Sequence, residues 1–280
     1  MKKIILALTV AVAVFGGQIE VDVGGHPESV LVDTKRVYVA NVGKELKPMD
    51  KDGDGYISLL NKKGEIVNKN FLTGLNAPKG MALVGNTLYV ADVDEVRGFD
   101  IVSKKQTFSL VFEGVKFLND IAAKDARTLY VTGTDSGKVY EVNIKTKKVK
   151  PIADLPSANG IIYEKGRLYG VELSHSSSDM FGGGGKMYEI DTKTGALTQL
   201  GKVEGVLDGI QKVGDIIYYS DWIKFEKTGI VRTYNLKTKA ESELSLDKIG
   251  GPADFWIDKK EHKIWIPKMI EGKVLIVDLK

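Results

Sequence analysis

Six polar residues stand at matching places along the chain: Glu28, Lys79, Asn119, Asn159, Asp208 and Asp254. Each precedes, by ten or eleven residues, an aromatic flanked by aliphatics: Val37-Tyr38-Val39, Leu88-Tyr89-Val90, Leu129-Tyr130-Val131, Leu168-Tyr169-Gly170, Ile217-Tyr218-Tyr219 and Ile264-Trp265-Ile266. If folding gathers the six into one ring, unopposed carboxylates there repel and raise one another's proton affinity. A divalent cation relieves that repulsion. Carboxylate and amide oxygens are hard ligands, which points to calcium, magnesium or manganese and away from a thiolate or histidine-rich zinc site. Lys79 offers other ways to balance the charge: pairing with Glu28 or Asp254, orienting an anionic substrate, or taking the ion's place. The alternative to an ion site is a satisfied polar network that plugs the space.

What must bring the six together is a repeated unit. Two residues after each polar position comes an apolar one (Val30, Met81, Ile121, Ile161, Ile210 and Trp256), so these would share one face of a short strand of period two. Further along, a third strand ends in Asn61, Asp100, Asn143, Asp191, Asn235 or Asp278. Asx side chains cap tight turns, so each marks a hairpin into a fourth strand. Four-stranded units of about 40 residues are the signature of a β-propeller, whose first strands line a central channel. The sixth unit stops at Lys280, straight after its third strand. Gln18 to Val23, with Ile19, Val21 and Val23 alternating with Glu20 and Asp22, can supply the missing one. The fold class expected is all-β: a single six-bladed β-propeller over residues 18–280, its last blade closed by the N-terminal strand.

Composition agrees with a globular domain, at 43% hydrophobic and 28% charged residues with no cysteine in 280. Forty basic residues face 37 acidic ones, and only Arg36, Arg97, Arg127, Arg167 and Arg232 are arginines. Such a dispersed lysine excess is no footprint for nucleic acid. Lys2 and Lys3 precede an apolar run from Ile4 to Phe15 and then Gly16 and Gly17, the order of a secretory signal peptide. That run is too short to span a bilayer, which takes about 20 residues. Residues 1–17 are therefore expected to direct export, giving a periplasmic or secreted protein without a stable membrane span.

Glu28 in His26-Pro27-Glu28-Ser29, Asn119-Asp120, Asn159-Gly160 and Asp208-Gly209 occur in the order of the Glu, Asn-Asp, Asn-Gly and Asp-Gly motifs of the gluconolactonase, regucalcin and luciferin-regenerating-enzyme family, which the chain resembles over its length after residue 17. The resemblance implies a six-bladed propeller in which Glu28, Asn159 and Asp208 hold a catalytic divalent ion. It also implies that Asn119 touches ion or substrate and that Asp208 serves as general base in the hydrolysis of a lactone or ester. Family members usually carry an arginine two residues before the Asn-Asp pair to hold a sugar acid. Here that residue is Phe117. Lys79, Phe117, Asp120 and Asp254 are the remaining candidates for substrate contact or support of the ligands. The competing function class is a non-catalytic, calcium-stabilised binding or scaffold propeller.

Two longer units carry insertions. In the first, Asp50, Asp52, Asp54 and Tyr56 in Asp50-Lys51-Asp52-Gly53-Asp54-Gly55-Tyr56 match a calcium loop through its seventh position. Its twelfth position is Asn61, which a strand would carry roughly 16 Å beyond Tyr56. A second calcium ion is expected here, completed by another residue or by water. In the fourth unit, Ser174 to Gly185 is Ser- and Gly-rich, and is expected to be either a lid carrying Met180 and Phe181 over the channel mouth or a surface loop. His26, His175 and His262 lack metal-ligand spacing. A small-molecule substrate is the partner these features imply.

Overall fold

The computed structural model describes residues 17–176 and 178–279, and among them every regular element is a strand. The expected export segment lies, but for Gly17, outside the described residues. Among those described, no helix is long and apolar enough to cross a membrane. The strands form six four-stranded antiparallel sheets. We number these blades 1 to 6 in chain order.

The inner strands are Pro27–Val32, Pro78–Val84, Leu118–Asp125, Ala158–Glu164, Leu207–Val213 and Trp256–Asp258. Each contacts the inner strand of the next blade, and the sixth returns to the first. At that return a parallel bridge joins Ser29 to Asp254. The Val30 N–H donates to the Asp254 carbonyl at 3.1 Å, and the Asp254 N–H to the Glu28 carbonyl at 2.9 Å.

Alternation along the strands places the core between blades. Val30, Met81, Ile121, Ile161 and Ile210 each enter the apolar layer shared with the preceding blade. Burying each such side chain is worth about 1.5–3 kcal/mol. In blade 6 the equivalent residue is Phe255, while Trp256 packs against the layers of blade 1.

The expected Asx hairpins form in blades 1 to 5. The side-chain oxygens of Asn61, Asp100, Asn143, Asp191 and Asn235 accept backbone N–H groups two to four residues ahead. The left-handed residue of these turns is not the Asx itself but lies further on, as at Lys104, Lys147, Gly195 and Lys239. Asp278 ends a strand that pairs with the N-terminal segment instead.

That pairing closes the ring. Gln18–Asp22 runs antiparallel to Lys273–Asp278, with Ile19 opposite Ile276 and Val21 opposite Val274. Val23 is fully buried between blades 6 and 1, whereas Ile19, near the free end of the strand, stays 48% exposed. Glu20 bridges Lys268 and Lys273, which hold its carboxyl down at about 2. Deleting residues 18–24 removes this strand and bares the edge of Lys273–Asp278. Thermal melting of the deletion is expected to fall well below that of a chain starting at Gln18, with aggregation on heating; an unchanged Tm would refute the closure.

Candidate functional site

The residues that face the channel mouth are set by an irregularity common to the inner strands. In blades 1 to 5 the pairing of first and second strands shifts register directly beside the polar position. Such a bulge leaves a residue out of the ladder and re-aims its side chain. Glu28, Lys79, Asn119, Asn159 and Asp208 are turned inward in this way, all are buried, and all line one cavity of about 190 Å³.

Blade 6 departs from the expected ring. Pro252 bridges Lys268 as Pro27 pairs with Asn41 and Leu207 with Asp221, so the residue equivalent to Glu28 and Asp208 is Ala253. Asp254 stands one place further on, level with Asp120. A hairpin of four residues between Asp258 and Lys263 lengthens the count back from Trp265 to twelve residues, and sequence spacing alone missed it. Asp120 and Asp254 instead line a cavity of about 870 Å³ at the other end of the channel. There Asp120 accepts the N–H groups of Ile121 (2.6 Å) and Ile161 (2.7 Å), and Asp254 accepts the Ser29 hydroxyl at 2.6 Å.

Close approach of the inner strands explains the glycines of the Asn-Gly and Asp-Gly pairs. A Cβ on Gly160 would stand 2.2 Å from the Asp208 carbonyl oxygen, and one on Gly209 would stand 2.8 Å from the Asp254 Cα.

Among the described residues, four of the mouth's oxygens have no hydrogen-bond partner: Glu28 Oε2, Asn119 Oδ1, Asn159 Oδ1 and Asp208 Oδ1. A buried oxygen without a partner costs about 1–3 kcal/mol. Asn159 and Asp208 are engaged through their other side-chain atom. Asn159 donates its amide to the Leu207 carbonyl at 3.2 Å, and Asp208 Oδ2 accepts the indole N–H of Trp222 at 2.9 Å. Burial pushes the Asp208 carboxyl up to about 7, against the pull of the Trp222 hydrogen bond. Burial and then Asp208 raise Glu28 well above the usual carboxylate range, with Lys79 opposing.

Lys79 donates to the Ala77 carbonyl at 2.9 Å and lies over the Phe117 ring, 4.8 Å from its centre. Burial lowers its ammonium to about 8, opposed first by Glu28. Among the described residues no ion pair joins it to Glu28 or Asp254, so the pairing considered from sequence is not made.

The walls come from the ends of second strands and from the insertions. Val42, Val93, Thr134, Leu173, Trp222 and Met269 are the residues that follow the second strands of the six blades. Leu173, Trp222 and Met269 line the mouth cavity. Sequence reasoning passed over this ring, although its signal is plain: the first residue after each aromatic-bearing strand. Both insertions reach the cavity, the first through Leu46 and Pro48 and the second through Met180 and Phe181. Phe181 packs edge-on to Phe225 at 5.2 Å and tilts on Trp222 at 5.6 Å, with Trp222 stacked on Phe225 at 5.7 Å.

The histidines hold loops. His26 Nδ1 meets the Met269 carbonyl at 3.0 Å, and His175 Nδ1 meets that of Gly183 at 2.8 Å. In the Asp-rich loop, Asp54 Oδ2 accepts the Lys44 N–H at 3.1 Å, Asp52 Oδ1 accepts the Asp54 N–H at 3.2 Å, and Asp50 lies 3.8 Å from the Lys47 ammonium. Tyr56 donates its hydroxyl to the Val23 carbonyl at 3.2 Å. Among the described residues no three His, Asp or Glu side chains form a ready-made metal cage.

No protein-family model matches the chain, and no curated protein does. Solved structures do. A streptogramin B lyase shares 13% identity at a TM-score of 0.64, over 94% of this chain and 98% of that one. A catalytically inactive virginiamycin B lyase from Staphylococcus aureus, determined with quinupristin, shares 14% at 0.60, over 94% and 99%. A protein of unknown function from Bacteroides thetaiotaomicron shares 14% at 0.67, over 97% and 75%. At such identity the likeness shows the propeller fold alone.

The strand spacing at the mouth is itself testable. Gly160→Ala is expected to destabilise the protein by about 1–3 kcal/mol through overpacking against the Asp208 backbone. Urea unfolding measures this, and a stability within error of the parent would show that the strands can part.

Proposed function

We propose that the protein is a hydrolase of small, apolar lactones or esters that uses a divalent cation in the channel mouth, acting outside the cytoplasm as its N-terminal export signature suggests. The observation that carries the reading is the set of four buried, unpartnered oxygens on Glu28, Asn119, Asn159 and Asp208. Two carboxylates and two amides make a hard donor set suited to calcium or magnesium. The set coincides with the residues assigned by resemblance to the gluconolactonase-like family.

Bound there, the ion would supply Lewis-acid polarisation of the substrate carbonyl. The chain's own groups divide the remaining work. Asp208 takes the proton of the attacking water as oxygen adds to the carbonyl carbon. The carbon–oxygen bond to the leaving alkoxide then breaks, and Asp208 returns the proton to that alkoxide, giving a hydroxy acid from a lactone or an acid and an alcohol from an ester. The Lys79 ammonium faces the same cavity and favours negative charge developing on the carbonyl oxygen.

Substrate size and polarity follow from the walls. The cavity of about 190 Å³ is smaller than the roughly 300–1,000 Å³ of pockets for drug-sized ligands. Phe117 occupies the place of a sugar-acid arginine, and Met180, Phe181, Trp222 and Phe225 give the entrance an apolar character. A compact aromatic or aliphatic lactone suits this better than a polyhydroxylated one.

A panel of aryl esters and lactones, assayed with calcium, with chelator and on Asp208→Ala, tests the reading. Turnover that the chelator abolishes and the substitution lowers by at least about 10²-fold is the expected result. Calcium binding without turnover of any panel member would favour the binding or scaffold propeller instead. The Asp50–Tyr56 loop is proposed to take a second calcium ion. Isothermal titration should then give two ions per chain and one in Asp52→Ala; unchanged stoichiometry removes the loop site.

A further inference from the structure

Asp208 is the one oxygen donor of the mouth whose second carboxylate oxygen meets a ring N–H, that of Trp222 at 2.9 Å. Trp222 is itself fixed by the loop that leads into the Asp208 strand. Its N–H donates to the Val206 carbonyl at 2.9 Å, and its carbonyl accepts the Thr228 hydroxyl at 3.2 Å. The next residue, Ile223, is β-branched yet adopts a left-handed backbone with φ of 62°. Such a residue is a genuine outlier, and its conformation costs energy that neighbouring contacts must offset. The contacts are present: the buried Asp221 carboxylate accepts the Ile223 N–H at 2.8 Å and the Val206 N–H at 3.1 Å, while Arg232 Nε donates to its other oxygen at 2.8 Å. The turn thus directs the indole inward in spite of local strain.

At the corresponding place the other blades carry Val42, Val93, Thr134, Leu173 and Met269, none of which has a ring N–H. Blade 5 alone has an indole there, and blade 5 carries Asp208. We propose that Trp222 is the positioning residue of the channel site: its indole occupies Asp208 Oδ2 and so holds Oδ1 towards the other three unpartnered oxygens. The inference rests on the cation reading given above. Groups that orient a metal ligand from behind typically change metal affinity 10- to 100-fold when removed. Because the same indole stacks on Phe225 and touches Phe181, the wall that receives substrate and the clamp on Asp208 are one side chain.

Calcium titration of the full chain, with calcium alone as the probe, tests this without any substrate. Trp222→Phe keeps a wall but no N–H, and is expected to weaken calcium binding at the mouth at least tenfold. Trp222→His restores a donor, since its Nε2 lies at the same place in a five-membered ring on the same Cβ, and is expected to recover most of the affinity. Trp256→Phe removes an indole that lies outside the mouth, and should bind as the parent does. Melting of each variant in chelator verifies that the fold persists. As a spectroscopic check, terbium emission sensitised by indole excitation should survive Trp256→Phe and vanish in Trp222→Phe. Parent-like calcium affinity in Trp222→Phe overturns the proposal, as does equal weakening in the Phe and His variants. A parent that binds no calcium at the mouth overturns the cation reading itself, a result distinct from a variant that merely equals its parent.

Discussion

Six inner strands converge on one axis, and a polar side chain turned towards that axis finds little water to replace the hydrogen bonds it gave up. Everything at the channel mouth depends on how that cost is met. Backbone groups are satisfied by the ladders and by the bridge between Ser29 and Asp254. The side chains are satisfied only in part: Asn159 spends its amide on Leu207, Asp208 one oxygen on Trp222, and Lys79 a proton on Ala77. Four oxygens are left over, on residues that line one small cavity. Leaving so many unpaired would cost several kcal/mol, a large fraction of a domain's net stability of about 5–15 kcal/mol. The cation proposed above, shared by all four, would answer that cost at a single stroke.

The rest of the fold keeps this convergence rigid. Apolar layers between successive blades leave each inner strand packed on both sides, and the bulges beside the polar positions turn the side chains out of the ladder without breaking it. Glycine at residues 160 and 209 lets the inner strands of blades 4, 5 and 6 approach closely. The N-terminal strand removes the last open edge, and its buried Val23 ties blade 6 to blade 1.

The two ends of the channel differ in chemistry for a positional reason. Residues at the bulge face the mouth, while those one place further on face the opposite opening. Asp120 and Asp254 occupy the second set and line the opposite cavity; after burial, the charge of Asp120 still adds to the raised proton affinity of Glu28 and Asp208, and Lys79 is the cation lining the mouth. The mouth is also the end roofed by both insertions and by the aromatic group of Phe181, Trp222 and Phe225. A polar floor beneath an apolar roof is the feature on which the proposed preference for a small, apolar lactone or ester rests.

Much of this was legible in the sequence because it is periodic. Alternation of period two, Asx residues at the ends of third strands and the unfinished last unit imply six blades and their closure by Gln18–Asp22 without knowledge of any contact. Five of the six ring positions follow from counting back from an aromatic. The count failed at Asp254 because a hairpin two residues longer than a tight turn shifts the tally, and only the observed pairing of Trp265 with Trp256 and of Lys268 with Pro252 puts Ala253 at the place equivalent to Glu28 and Asp208. The place of Trp222, directly after a second strand, is readable, but its contact with Asp208 is not. Its neighbours in sequence say nothing about a carboxylate on another strand, and the contact exists only where a strained turn carries the indole over Asp208. Sequence by itself determined the repeat and the chemical types gathered at the axis, because both are local properties of spacing and composition. Which oxygens face the cavity, which are already engaged and what roofs them were decided by the tertiary structure alone, because register and strand approach fix directions that no count of residues contains.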